Sequence, residues 1–220
     1  MLPRPRENGF AMTDAASLRI SPANGASWDD LELIFAARGD HRGCWCQRFK
    51  TPSREWYTDS FSAGFRPEGL RAQTQCGNPN ARATSGLVAY LAEEPVGWCA
   101  VEPRSAYVRL GQTPWKGRTE DKADDRIWAA TCFIVRKEFR GQRISYALAR
   151  AAVEHARSRG ADILEGYPII TTPGKEITWG ELHVGSRNTF EAAGFSEVCR
   201  PSKRRVVMQC TFRSARIGSA

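Results

Sequence analysis

Apolar and polar positions recur along this chain with two different periods, and each change of period marks an element. From Ala26 to Arg38, the residues Trp28, Leu31, Ile34 and Phe35 keep helical spacing. Ser27 stands where an N-cap is wanted, and Gly39 where a helix stops. Residues 40–85 are aromatic, polar and rich in Gly and Pro; they suggest one short helix over Arg54–Phe61, and GNPNARATSG (77–86) reads as a loop. Leu87–Leu91 and Val96–Val101 flank the turn Ala-Glu-Glu-Pro, which predicts a hairpin. Residues 103–126, with Pro114 and Gly117, predict a long loop.

Ile127–Val135 (IWAATCFIV) is almost wholly apolar, the pattern of a strand covered on both faces. A helix follows from about Gln142 to Arg159, with Ile144, Ala147, Leu148, Ala151, Ala152 and Ala156 on one face and Gly160 at its end. Ala161–Ile169 predicts a second strand, so strand, helix and strand form a parallel crossover. After a loop at 170–184 come a short helix, Ser186–Ala193, ended by Gly194, and a closing pair of strands at Val198–Arg200 and Arg205–Phe212. This order predicts an α/β (α+β) fold: a central mixed, twisted sheet of about six or seven strands, helices on its faces and one parallel pair that splays. A single domain is expected over 17–212, between a flexible N-terminal tail (1–16) and a C-terminal tail (213–220).

Composition narrows the class. Of 220 residues, 41% are apolar and 25% charged, enough to bury a core. A mean hydropathy of −0.47, with no run of 18 apolar residues, excludes a membrane-spanning helix. MLPRPRENGFAMTDAAS has basic residues with no apolar run behind them, so a signal peptide is not expected and a cytoplasmic chain is. Seven cysteines, several inside apolar runs such as GWCAV and ATCFIV, read as reduced core thiols. His41, Cys44 and Cys46 have half the spacing of a metal site; a second Cys/His pair is missing, so no metal is expected. The net charge of +8 is concentrated: residues 136–160 carry seven Lys/Arg against two Glu, and residues 196–216 six against one. Two such blocks suit a phosphate-bearing partner, or else form a solvated basic face.

The segment VRKEFRGQRISYALARAAVEHARSRGA resembles the acyl-CoA-binding segment of the Gcn5-related N-acetyltransferase (GNAT) superfamily: a strand, then R-G-x-G-x-G/A/S, then an amphipathic helix. FEAAGFSEV resembles its second motif, and GCWCQRF, GWCAVEPRSAYVRL and LEGYP resemble one bacterial branch with a GCWC segment. The resemblance spans roughly residues 17–212. It implies that Arg140, Gly141, Gln142, Arg143, Ile144 and Ser145 hold the pyrophosphate of acetyl-CoA or another acyl-CoA, where a helix start offers N–H groups and a favourable dipole. It also implies that the pantetheine arm pairs with the backbone at Phe133, Ile134 and Val135. A primary amine of a small molecule would then attack the thioester directly, with a backbone N–H steadying the oxyanion.

Two positions depart from the motif. Arg143 replaces a glycine that permits close phosphate approach, and Phe190 replaces a tyrosine that many members use as a general acid. A thiolate leaves without such an acid, so catalysis survives the second change. Both changes also suit an aminoacyl-tRNA donor, with the basic blocks binding tRNA, or a non-catalytic binding module on the same fold. The candidate base is Glu165 or His183, with Glu102, Asp124 and Asp125 behind them; Tyr167 and Tyr146 are the hydroxyls that could replace the acid. Glu165→Gln is expected to lower turnover without unfolding the chain. Trp45, Trp98, Trp128 and Trp179 could wall an acceptor pocket, at most two of them doing so. A monomer and a homodimer are both compatible with the pattern.

Overall fold

A capping box starts the first helix. The Ser27 hydroxyl accepts from the Asp30 N–H at 3.1 Å, and the Asp30 carboxylate accepts from the Ser27 N–H at 3.0 Å, so donors that a helix start leaves over are satisfied reciprocally. The computed structural model describes residues 18–36, 44–52, 65–110, 119, 121, 123–171, 174 and 176–212. Both expected tails, Gly39, His41 and the helix expected over 54–61 lie outside the described residues.

The strands are β1 (Leu18–Pro22), β2 (Gly86–Leu91), β3 (Glu94–Pro103), β4 (Ile127–Val135), β5 (Ile163–Gly166), β6 (Ser196–Ser202) and β7 (Arg205–Thr211). The helices are α1 (Trp28–Ala36), α2 (Phe65–Thr74), α3 (Ile144–Ser158), α4 (Trp179–Leu182) and α5 (Arg187–Glu191). One sheet runs β1-β2-β3-β4-β5-β7-β6. Among the described strands, only β4 and β5 pair in parallel, with Ile127 opposite Ile163 and Ala130 opposite Gly166. This is the mixed sheet with a parallel pair that the sequence predicts.

The central strands are apolar throughout because alternate residues feed two cores. Leu87, Ala89, Cys99 and Val101 pack with Leu148, Ala152 and Ala156 of α3. Their neighbours Val88, Tyr90, Trp98 and Ala100 pack with Leu31, Phe35 and Leu70 of α1 and α2 on the other face. Among the described residues, no helix is long and apolar enough to cross a membrane.

Four differences from the sequence pattern matter. β1, α2 and α4 are elements that the pattern does not announce, since each carries too few apolar positions to show a period. Among the described residues of the loop expected over 103–126, Arg104–Ala106 forms a 3-10 turn. β6 is longer than the strand expected at Val198–Arg200. β5 ends at Gly166, not Ile169. Beyond it the chain leaves β4, and Ile169 bridges to Ser186 and Arg205 instead. The buried ring of Phe190 fixes this parting: a Cβ on Gly166 would lie 2.2 Å from it, and one on Gly185 2.8 Å. β4 continues to Val135 against β3, so the parallel pair splays beyond Ala130 and Gly166.

Candidate functional site

A groove of about 350 Å³ opens beside the splay, at the start of α3. β4 contributes Phe133 and Val135, and the strand-to-helix turn contributes Arg140, Gly141, Arg143, Ile144 and Ser145. Two other expected residues fall elsewhere. Strand alternation turns Ile134 toward the α1 face, and Gln142 is exposed and outside the lining. Tyr146, Leu182, Gly185, Ser186 and Thr189 also line it, with Phe139 and Thr171.

Arg143 is the N-cap of α3, with φ 57° and ψ 21°. A glycine would take that left-handed conformation without strain. The arginine holds it while its guanidinium leans over the Tyr146 ring, 5.7 Å from the centroid, so it is turned along the helix and does not fill the turn. The helical bonds begin behind it: the Tyr146 and Ala147 N–H groups both donate to the Arg143 carbonyl, at 3.0 and 3.2 Å. The first N–H groups of a helix have no intrahelical acceptor, so they face the groove's mouth as anion donors. Two backbone groups of β4 are already engaged. The Phe133 N–H donates to the His183 carbonyl at 2.6 Å, and Arg140 Nε donates to the Val135 carbonyl at 3.2 Å.

A second cavity, of about 360 Å³, lies beyond the 182–186 segment. That segment is a shared wall: Leu182, Gly185 and Ser186 face the first groove, while His183 and Val184 line the second. Tyr167 lines the second cavity too, with Phe49, Leu110 and Val207, and with Arg48, Arg109 and Arg205. His183 is buried, and its ring stacks on Phe49 at 6.2 Å between centroids.

Glu165 is fully buried and lines neither cavity. Arg104 Nη1 reaches both its oxygens, at 3.3 and 3.4 Å. Gln209 Nε2 donates to Oε1 at 2.9 Å, and the Tyr167 hydroxyl donates to Oε2. The structure therefore brings Glu165 and Tyr167 into contact, and places Tyr167 and His183 on one cavity. Arg104, itself buried, gave no signal in the sequence, because it sits in a stretch with no apolar period.

The remaining candidates are spread out. Glu102 is half-buried against Lys50, whose ammonium also meets Gln73 Oε1 at 2.9 Å; burial pushes the Glu102 carboxyl up and Lys50 opposes this. Asp124 pairs with Arg126 at 3.1 Å, which holds its carboxyl below the usual range, and Asp125 accepts from Ser105. None of these acids lines either cavity. Trp98 is fully buried and Trp128 packs edge-on to His155, both in the core, while the partly buried Trp45 stacks on Trp28 and Phe35 against it. Cys46 accepts from Trp98 Nε1 at 3.0 Å. Among the described residues, no group of three Cys, His, Asp or Glu could hold a metal.

The model of the Acetyltransferase (GNAT) family matches residues 52–166. No curated protein sequence matches the chain. The Salmonella typhimurium protein yncA, solved with acetyl-CoA, is 12% identical, with a TM-score of 0.51 over 93% of this chain and 99% of that one. PaiA N-acetyltransferase from Thermoplasma acidophilum, solved with coenzyme A, is 12% identical, with a TM-score of 0.47 over 89% of this chain and 99% of that one. A GCN5-related N-acetyltransferase from Kribbella flavida is 14% identical, with a TM-score of 0.47 over 90% and 99%.

Proposed function

Because the chain belongs to the Acetyltransferase (GNAT) family, we propose that it joins the acyl group of an acyl-CoA thioester to a primary amine of a small molecule. The observation that carries this reading is a pair of cavities with a common wall, one at a helix start and one beside buried acid–base groups. The first suits the donor. The N–H groups at the start of α3 and the Arg140 side chain favour a pyrophosphate there. The thioester then lies toward the splay, and the amine enters from the second cavity.

In that arrangement the amine nitrogen attacks the thioester carbonyl. The C–N bond forms, the C–S bond breaks, and its electron pair leaves on sulfur as thiolate. The proton lost by the amine passes to His183, or through Tyr167 toward Glu165. Glu165 acts through Tyr167, since it lines no cavity itself. Phe190 donates no proton; it is a core wedge packed on Phe133 and Phe195. The thiolate is a good enough leaving group to depart unaided.

Calorimetric titration with acetyl-CoA tests the donor. Micromolar binding is expected, and Arg143→Gly should tighten it or leave it unchanged, because the guanidinium already lies clear of the turn. No heat at millimolar acetyl-CoA overturns the reading and makes aminoacyl-tRNA the leading donor. Binding of tRNA that weakens steeply with salt would then support that alternative.

A further inference from the structure

The second cavity has a charge pattern that its acid–base groups do not explain. Arg48, Arg109 and Arg205 reach it from three separate stretches of chain, and among the described residues no Asp or Glu lines it. Arg109 is fixed in place: its Nη1 donates to the Arg48 carbonyl at 2.9 Å, and its backbone N–H donates to the Phe49 carbonyl at 3.1 Å. Arg48 and Arg205 form no ion pair with any described residue. Glu181 attracts Arg205 from a distance, but its carboxylate is bonded to Arg204 at 2.8 Å.

A purely solvated basic face would not look like this. Arg205 is half-buried, and burial and the nearby Arg48 charge both push its pKa down. Holding the Arg205 charge beside that of Arg48, partly out of water and with no acid among the described lining residues, is unfavourable unless something else supplies the negative charge. The rest of the wall is apolar, from Phe49, Leu110 and Val207. An oxyanion with a small apolar body fits both parts, and a cavity of about 360 Å³ is at the small end for ligand sites. Guanidinium forks suit carboxylate and phosphate oxygens alike.

We propose that the acceptor is a primary amine that also bears a carboxylate or phosphate, with Arg48, Arg109 and Arg205 holding that oxyanion while the amine faces His183 and Tyr167. The amine's place rests on the acyltransferase reading above; the oxyanion site does not. Cationic acceptors such as polyamines are rejected by the same three charges.

The test uses L-leucine and O-phosphoethanolamine as anionic probes, with L-leucinamide and spermidine as probes without an anion. Calorimetry on the full chain reads their binding, and release of free thiol from acetyl-CoA reads their turnover. At least one anionic probe should bind about tenfold more tightly than L-leucinamide; which of the two binds better identifies the oxyanion. Arg205→Gln and Arg48→Gln should each weaken that binding about tenfold, raise the acceptor KM more than they lower kcat, and leave acetyl-CoA affinity unchanged. Equal or tighter binding of L-leucinamide or spermidine overturns the proposal, as does failure of both anionic probes to bind at millimolar concentration. Unchanged affinity in both arginine variants does so too. If an anionic probe binds in this pattern but no thiol is released, the oxyanion site stands and the acyltransferase reading fails.

Discussion

Tyr167 touches both the buried carboxylate of Glu165 and the second cavity, so single substitutions can separate chemistry from support. Tyr167→Phe removes one hydroxyl and leaves Glu165 bonded to Arg104 and Gln209. It should lower kcat about tenfold or more while thermal stability changes little; unchanged kcat removes Tyr167 from the proton path. For Glu165→Gln, the buried contacts add a stability cost to the loss of turnover expected from sequence. The substitution leaves the buried Arg104 guanidinium facing a neutral amide, and breaking a buried pair in this way costs about 3–5 kcal/mol. Denaturant unfolding should show that loss, and wild-type stability in the variant would mean that the pair is not what holds the β4–β5–β7 region. Glu165 was legible as a candidate because it lies on the strand after the main helix. Its burial was not, since that depends on Arg104, Tyr167 and Gln209 converging from three places in the chain.

The β2–β3 hairpin shows how an element overrides its local sequence. Its two-residue loop, Ala92–Glu93, has φ of 48° and 65°, as in the turns that match strand twist and favour Asn-Gly. Neither residue takes that region readily. The apolar pattern of the flanking strands sets the register, and the loop follows it. The double substitution Ala92→Asn, Glu93→Gly should raise stability by about 1 kcal/mol, which for a chain of this size is about 2–4 °C in Tm. The exposed Arg19–Glu93 pair it removes is worth little. An unchanged or lower Tm would show that the turn is not strained. Elements with a long apolar period, β4 and α3, were legible to within about two residues. β1, α2 and α4 were not, because their few apolar positions acquire meaning only when a neighbour covers them.

Across the whole molecule, stability should depend on pH through His155. Burial pushes its pKa down from 6.5 to about 4, and Arg159 adds to the shift. The folded chain thus keeps His155 neutral where the unfolded chain takes up a proton. Stability is fully present above pH 6.5 and falls as the pH drops toward about 4, by up to about 3 kcal/mol from this residue. Thermal unfolding between pH 7.5 and 4.5 should be steeper in wild type than in His155→Gln, and equal slopes would rule out this source. The sequence by itself determined the mixed sheet, the parallel pair and the strand-to-helix turn, because apolar periods and a glycine-containing loop are local signals. Only the tertiary structure decided that β5 ends at Gly166, that Glu165 is enclosed, and that Arg48, Arg109 and Arg205 meet around one cavity. Those outcomes depend on side chains far apart in the chain, and no local pattern records where they meet.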